Sequence, residues 1–241
     1  MPPILEPFSQ IGQIFIIKKF RFRNFIIHVI IKFIDMQGID LIFAVAILIM
    51  SVVVHEVSHG YMADYLGDRT ARYAGRLTLN PINHLDPVGS FFVPLMTSLL
   101  GGFIFGWAKP VPFNPYNLSN QKYGPGLVGL AGPASNVSVA LVFGLIVRFG
   151  GNFGLAPEFL KIAGFIAFIN LILAFFNMIP IPPLDGSRVL FSLLPLRYQH
   201  IQYFLEQYGL IFIFLFIFVF WQMFLPAIFF LFRILTGLQG L

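Results

Sequence analysis

About 20 mostly apolar residues are needed to cross the hydrocarbon of a bilayer, and this chain contains several such stretches. The most constraining is residues 37–60, where LIFAVAILIMSVVV (41–54) runs without a break into His55-Glu56-Val57-Ser58-His59. Ionisable side chains at membrane depth cost about 2.5–3.5 kcal/mol each on insertion scales, so a cluster of them there is functional by default. The sequence thus asks for a fold that shelters polar chemistry inside a membrane.

Further candidate spans lie at 125–148, 161–181 and 208–236. The last is long for one crossing, and Pro226 predicts a kink or the start of an interfacial segment. Residues 88–105 are marginal: they are short, with Pro94 inside and Gly101-Gly102 near the end. The chain is 58% hydrophobic and 10% charged, too little charge for a hydrated surface. The expected class is therefore an all-α polytopic membrane protein of about four to five transmembrane helices plus a re-entrant segment. The expected organisation is an N-terminal extension (1–35), a membrane core (36–206) and a C-terminal helix and tail (207–241). The extension carries five basic residues in FIIKKFRFRNFIIHVIIKFID (15–35), so it does not span. It reads either as an interfacial segment or as sequence ahead of a true start at Met36, and it shows no evident cleavable signal peptide. There are no cysteines, which excludes disulfides, cysteine catalysis and Cys-based zinc sites. The net charge of +5 is read as topology signal rather than as nucleic-acid binding.

His55 and His59 stand in the pattern H-E-x-x-H. Positions i and i+4 share one face of a helix, so the two imidazoles converge on one metal ion, with Glu56 beside them as general base toward a metal-activated water. A catalytic zinc keeps an open position, so a third protein ligand is expected. The metzincin pattern would need a histidine at position 65, which is Tyr65. Asp64, Asp68, His84 and Asp86 are nearby, but they sit off the histidine face or in turn-rich sequence, where caps and Asx-turns are the stronger reading. Asp185 is the better candidate: it follows Pro180, Pro182 and Pro183, which forbid a regular helix at the end of a span. Broken backbone at membrane depth is tolerated only where it is buried or lines a cavity. An ordinary Asp-Gly turn is the alternative.

Topology tests the pairing. A full crossing by 88–105 would put Asp185 on the opposite side from the histidines; entry and return on one side brings them together. In that arrangement one face carries Arg69, Arg72, Arg76, Lys109, Lys122, Arg188 and Arg197, and the site opens toward the cytoplasm under the positive-inside rule.

HEVSH, GRLTLNPINHLDPVGSFFVPL, GWAKPVPFNPYNL, GLAGPASN and FFNMIPIPPLDGSRVL, in this order, resemble the short, PDZ-less branch of the site-2 protease family of intramembrane zinc metalloproteases. The resemblance covers roughly residues 36–240, and N-x-x-P-x-x-P-L-D-G following HExxH is highly specific. It implies one Zn²⁺ per chain held by His55, His59 and Asp185, with Glu56 as general base. Asn177 would help hold substrate or the developing oxyanion; a buried amide bonding a freed carbonyl is the other reading. It also implies a small cytoplasmic β element from 69–81 and 107–115 that binds substrate by strand addition, and a packing role for Gly132-Pro133 with Asn136. The implied partners are a transmembrane protein substrate and the lipid bilayer, and the implied location is the bacterial cytoplasmic membrane. A prenyl-protein type of metalloprotease is disfavoured, since it needs a downstream glutamate ligand and only Glu158 and Glu206 remain. A non-proteolytic zinc transporter or inactive scaffold is the alternative function.

Overall fold

The computed structural model describes residues 41–93, 96 and 108–238. Expectations for residues 1–35, and for the part of 88–105 on which a re-entrant path depends, lie outside the described residues. Within them the protein is helical, with no strand. The main helices are α1 (Leu41–Tyr65), α2 (Thr70–Tyr73), α3 (Gly124–Gly150), α4 (Pro157–Asn177), α5 (Asp185–Leu193), α6 (Gln199–Leu215) and α7 (Trp221–Thr236).

Three helical stretches, Ile42–Tyr65, Gly124–Phe153 and Pro157–Asn177, are long and apolar enough to cross a membrane, and Met223–Thr236 is a shorter apolar helix. The core of α4 is 61% buried, against 33% for the first two, so α4 is the central helix of the bundle. Lipid tails are as apolar as leucine, so close packing rather than water exclusion must hold such helices together. Phe168 of α4 supplies much of it: it stacks on Phe229 at 5.3 Å between ring centroids and meets Phe232 edge-on at 5.5 Å. The outward faces of α1 and α3 present Ile42, Phe43, Leu127, Leu130, Leu141 and Val142, as a lipid contact requires.

A short turn at Gly151–Phe153, closed by Gly154 in the left-handed region (φ 71°), links α3 to α4. The two therefore run antiparallel, and α1 and α4 both end at the same pole. Residues 66 to 123 leave and rejoin that pole, since Ser119 N donates to Leu66 O at 2.8 Å. The parity needed to bring Asp185 to the histidines is thus met. From Gln199 to Thr236 the chain stays helical, roughly 57 Å at 1.5 Å per residue, well beyond a hydrocarbon core of about 30 Å. Pro226 lies inside α7, and the irregular turn falls upstream, at the π-helical Phe216–Phe220. The C-terminus of α7 is tied to the far pole by Arg148, which donates to Ile234 O at 2.7 Å.

The expected β element is not formed. Thr70–Tyr73 is helical, and segment 108–114 has no regular secondary structure and contains Pro110 and Pro112, which have no N–H for a ladder. Three of its donors are used singly: Lys109 N bonds His84 O, Val111 N bonds Glu56 Oε2 and Asn114 N bonds Asp68 Oδ2. Arg76 completes the link by donating to Lys109 O at 2.7 Å.

Asp68 clamps this pole. It is fully buried and accepts from the N–H and hydroxyl of Thr70, from Asn114 N at 2.6 Å and from Asn117 Nδ2 at 3.0 Å. Burial pushes its carboxyl up, but these donors outweigh burial and hold it below the ordinary range. The stabilisation is therefore complete above the ordinary aspartate value and is lost as pH falls through the lowered one. Asp68→Ala should cost about 1–3 kcal/mol by orphaning these donors. Thermal unfolding in detergent should show a lower midpoint and a shallower acid-side loss of stability than in the unaltered chain.

Candidate metal centre

His55 and His59 occupy successive turns of α1 and are both buried, at 5% exposure each. Their rings meet edge-on with centroids 4.6 Å apart. Asp185 reaches them because α4 stops at Asn177 and the chain turns through the proline-rich segment before α5 begins. Leu184 N donates to Ile181 O at 2.9 Å within that turn. The turn is tight at Gly186, where any Cβ would collide with the carbonyls of Met178 and Ile179. Asp185 is then the first residue of α5.

The result is three convergent atoms. His55 Nε2 lies 2.9 Å from Asp185 Oδ2, His59 Nε2 lies 3.2 Å from the same oxygen, and the two Nε2 atoms are 3.1 Å apart. Zinc with bonds of about 2.0–2.2 Å in a tetrahedron needs ligand atoms roughly 3.3 Å from each other. The triangle therefore has nearly the size of one tetrahedral face.

The protons point the same way. His59 Nδ1 is 2.6 Å from Val128 O, a carbonyl that can only accept, so Nδ1 carries a hydrogen and the neutral ring keeps its lone pair on Nε2. His55 Nδ1 is 2.5 Å from Asn136 Oδ1 and donates in the same manner. Both Nε2 atoms and Asp185 Oδ2 thus face one another in a buried place, where each can offer a lone pair to one shared cation, and these residues fit a metal ion. Arg188, from one turn along α5, donates to the other Asp185 oxygen at 3.4 Å and covers the Phe113 ring at 5.1 Å.

Helix α3 closes the site from behind. Gly132 lies so near the imidazoles that a Cβ would collide with His59 Nε2 and stand 2.6 Å from His55 Cε1. Glu56, half-buried, accepts from Val111 N at 3.0 Å, which fixes its carboxylate against the 108–114 segment. Asn177 ends α4 and donates to Leu173 O, one turn back, at 3.0 Å. The other sequence candidates stay apart from the cluster. Asp64 pairs with Arg72, His84 donates to Thr78 O, and Asp86 accepts from Val88 N and Gly89 N as a helix cap. Asn136, read from sequence as a packing residue, touches His55 directly. The signal was present in GLAGPASN, but only three-dimensional proximity shows what its amide faces.

Gly132→Val should displace both imidazoles while leaving the α-helix signal in circular dichroism unchanged. The expected outcome is a loss of bound metal of about 10–100-fold in affinity, read by metal analysis of the purified chain.

Comparisons with known proteins agree with this geometry. Residues 154–220 match the family model described as Peptidase family M50. The chain is 37% identical over 183 residues to "Putative zinc metalloprotease YwhC" of Bacillus subtilis, covering 73% of this chain and 80% of that protein. It is 32% identical over 149 residues to "Putative zinc metalloprotease Rip2" of Mycolicibacterium smegmatis, covering 62% of this chain and 56% of that one. A third relative, "Putative zinc metalloprotease MJ0611" of Methanocaldococcus jannaschii, is 46% identical over 65 residues, 27% of this chain and 32% of its own. No solved structure matches. A relative of this identity, aligned over four-fifths of its own length, and a family match spanning the turn that delivers Asp185 place the chain in peptidase family M50, the site-2 protease family.

Proposed function

We propose that the protein is an intramembrane zinc metalloprotease that hydrolyses peptide bonds within or near transmembrane segments of other membrane proteins. The observation that carries this reading is the buried triangle of His55 Nε2, His59 Nε2 and Asp185 Oδ2, three convergent metal-ligand atoms. His55, His59 and Asp185 would hold the zinc. When bound there, the ion supplies Lewis-acid polarisation and makes hydroxide available near neutral pH.

The chain's own residues do the rest. Glu56 follows His55 directly on α1, and as general base its carboxylate takes the proton of the attacking water and passes it to the leaving amine. Val111 N–H holds one of its oxygens, so the carboxylate is oriented before substrate arrives. Asn177 spends one amide hydrogen on Leu173 O, and in this reading its second is the donor toward the substrate carbonyl. A substrate helix hides its carbonyls in its own hydrogen bonds, so it must unwind locally to be cut.

The pole where α1 and α4 end bears Arg69, Arg72, Arg76, Lys109, Lys122, Arg188 and Arg197, whereas Arg148, Lys161 and Arg233 mark the other. Positive charge collects on the cytoplasmic side, so in this reading the protein lies in the bacterial cytoplasmic membrane with its site facing inward. The chain has no cysteine of its own, which makes it a clean background for labelling. Single cysteines placed at Lys122 and Tyr73 should both react with a membrane-impermeant thiol reagent from the cytoplasmic side; labelling from opposite sides would refute the arrangement.

Glu56→Gln should keep the bound metal and lower cleavage of a model transmembrane peptide by about 10²–10⁴-fold. Metal analysis and a gel assay with a chelator control measure the two. Undiminished proteolysis in that variant would remove Glu56 from the role of base.

A further inference from the structure

The two histidines of the site are held by different means. His59 donates straight to a backbone carbonyl, Val128 O. His55 donates to a side-chain amide, and an amide can in principle be turned either way round. Reversed, Asn136 would offer an N–H to Nδ1, the proton of His55 would move to Nε2, and the metal face would lose a ligand. Something must fix the direction of Asn136.

The fixing elements are on α4 and α1. Asn170 Nδ2 lies 2.9 Å from Ile166 O, which can only accept, and 2.9 Å from Ser51 Oγ. The Ser51 hydroxyl proton is committed to Ile47 O at 2.8 Å, so toward Asn170 this oxygen also accepts. Both neighbours demand a donor, so the amide nitrogen of Asn170 faces them and its oxygen faces Asn136. There Asn136 Nδ2 donates to Asn170 Oδ1 at 2.7 Å and approaches Ser51 O at 3.4 Å. Asn136 Oδ1 is left to meet His55 Nδ1, which must carry a hydrogen. Ser51, Asn136 and Asn170 are all buried, the two asparagines completely, so water cannot substitute for any of these partners.

We propose that Asn136 and Asn170 are positioning residues: together with Ser51 they relay the fixed polarity of backbone carbonyls on α1 and α4 to His55 and lock it in the tautomer whose Nε2 can bind a metal. Neither asparagine contacts the ion; both act through the imidazole. Burying three polar side chains between helices is justified by this output, because an apolar trio would pack equally well. The inference rests on the metal reading of His55, His59 and Asp185.

The test uses the full purified chain in detergent, with Zn²⁺ affinity measured by chelator competition and the Co²⁺ absorption spectrum as the signature of ligand geometry. Asn136→Leu should bind Zn²⁺ about 10–100-fold more weakly and shift the Co²⁺ bands. Asn136→Asp keeps an oxygen toward Nδ1 in either protonation state, and should stay close to the unaltered chain in both readouts. Asn170→Leu touches neither imidazole and removes only the group that orients Asn136; it should weaken Zn²⁺ by about tenfold with unchanged helix content. It also serves if Asn136→Leu fails to fold. Unaltered affinity and spectrum in a folded leucine variant, or equal losses in the Asp and Leu variants of Asn136, would overturn the relay and leave the metal site standing. Failure of the unaltered chain to bind Co²⁺ or Zn²⁺ would overturn the metal reading and the relay with it.

Discussion

Three potential ligand atoms lie buried within 3.2 Å of one another, and they repel unless a positive charge, a shared proton or a metal cation, sits among them. Much of the bundle is arranged around that demand. The α1 helix stacks the two imidazoles, the proline-broken end of α4 delivers the carboxylate, and α3 supplies acceptors for both Nδ1 hydrogens. Each hydrogen bond behind the site removes a proton from its front. Zinc chemistry follows from this polarity as much as from the identity of the ligands.

The membrane sets the terms of that arrangement. Helices in lipid gain little from hiding apolar surface, so their contacts are made by close approach and by polar groups that would otherwise lack partners. Gly132 is the close approach, bringing the backbone of α3 against the histidines. Ser51, Asn136 and Asn170 are the polar contacts, binding α1, α3 and α4 at one level. At nearly the same height, on the other side of α4, Phe168 packs on Phe229 and Phe232 of α7. The polar face and the aromatic face of α4 divide the labour between chemistry and cohesion.

The pole beyond the site is built differently, from turns rather than helices. Asn80, Asp86, Asn114 and Asn120 each accept from backbone N–H groups just ahead, and Asp68 gathers donors from both ends of the 66–123 excursion. Segment 108–114 bridges this scaffold to Glu56 through Val111. Its prolines explain why it does not become a strand. The family resemblance implied strands here, but a ladder needs consecutive free N–H groups, and in 108–114 none remain in series.

Periodicity and motif spacing alone determined the helical membrane class, the three long spans and the convergence of His55 and His59, because each is local to one helix. They also pointed to Asp185, because three prolines must break a span wherever they fall. Only the tertiary structure decided that Asp185 Oδ2 meets both Nε2 atoms, that Asp68 is a buried clamp, and that Asn136 faces His55. Those relations join residues 46 to 130 positions apart. An amide's direction depends on what surrounds it, and no pattern along one chain encodes which carbonyl will stand on its other side.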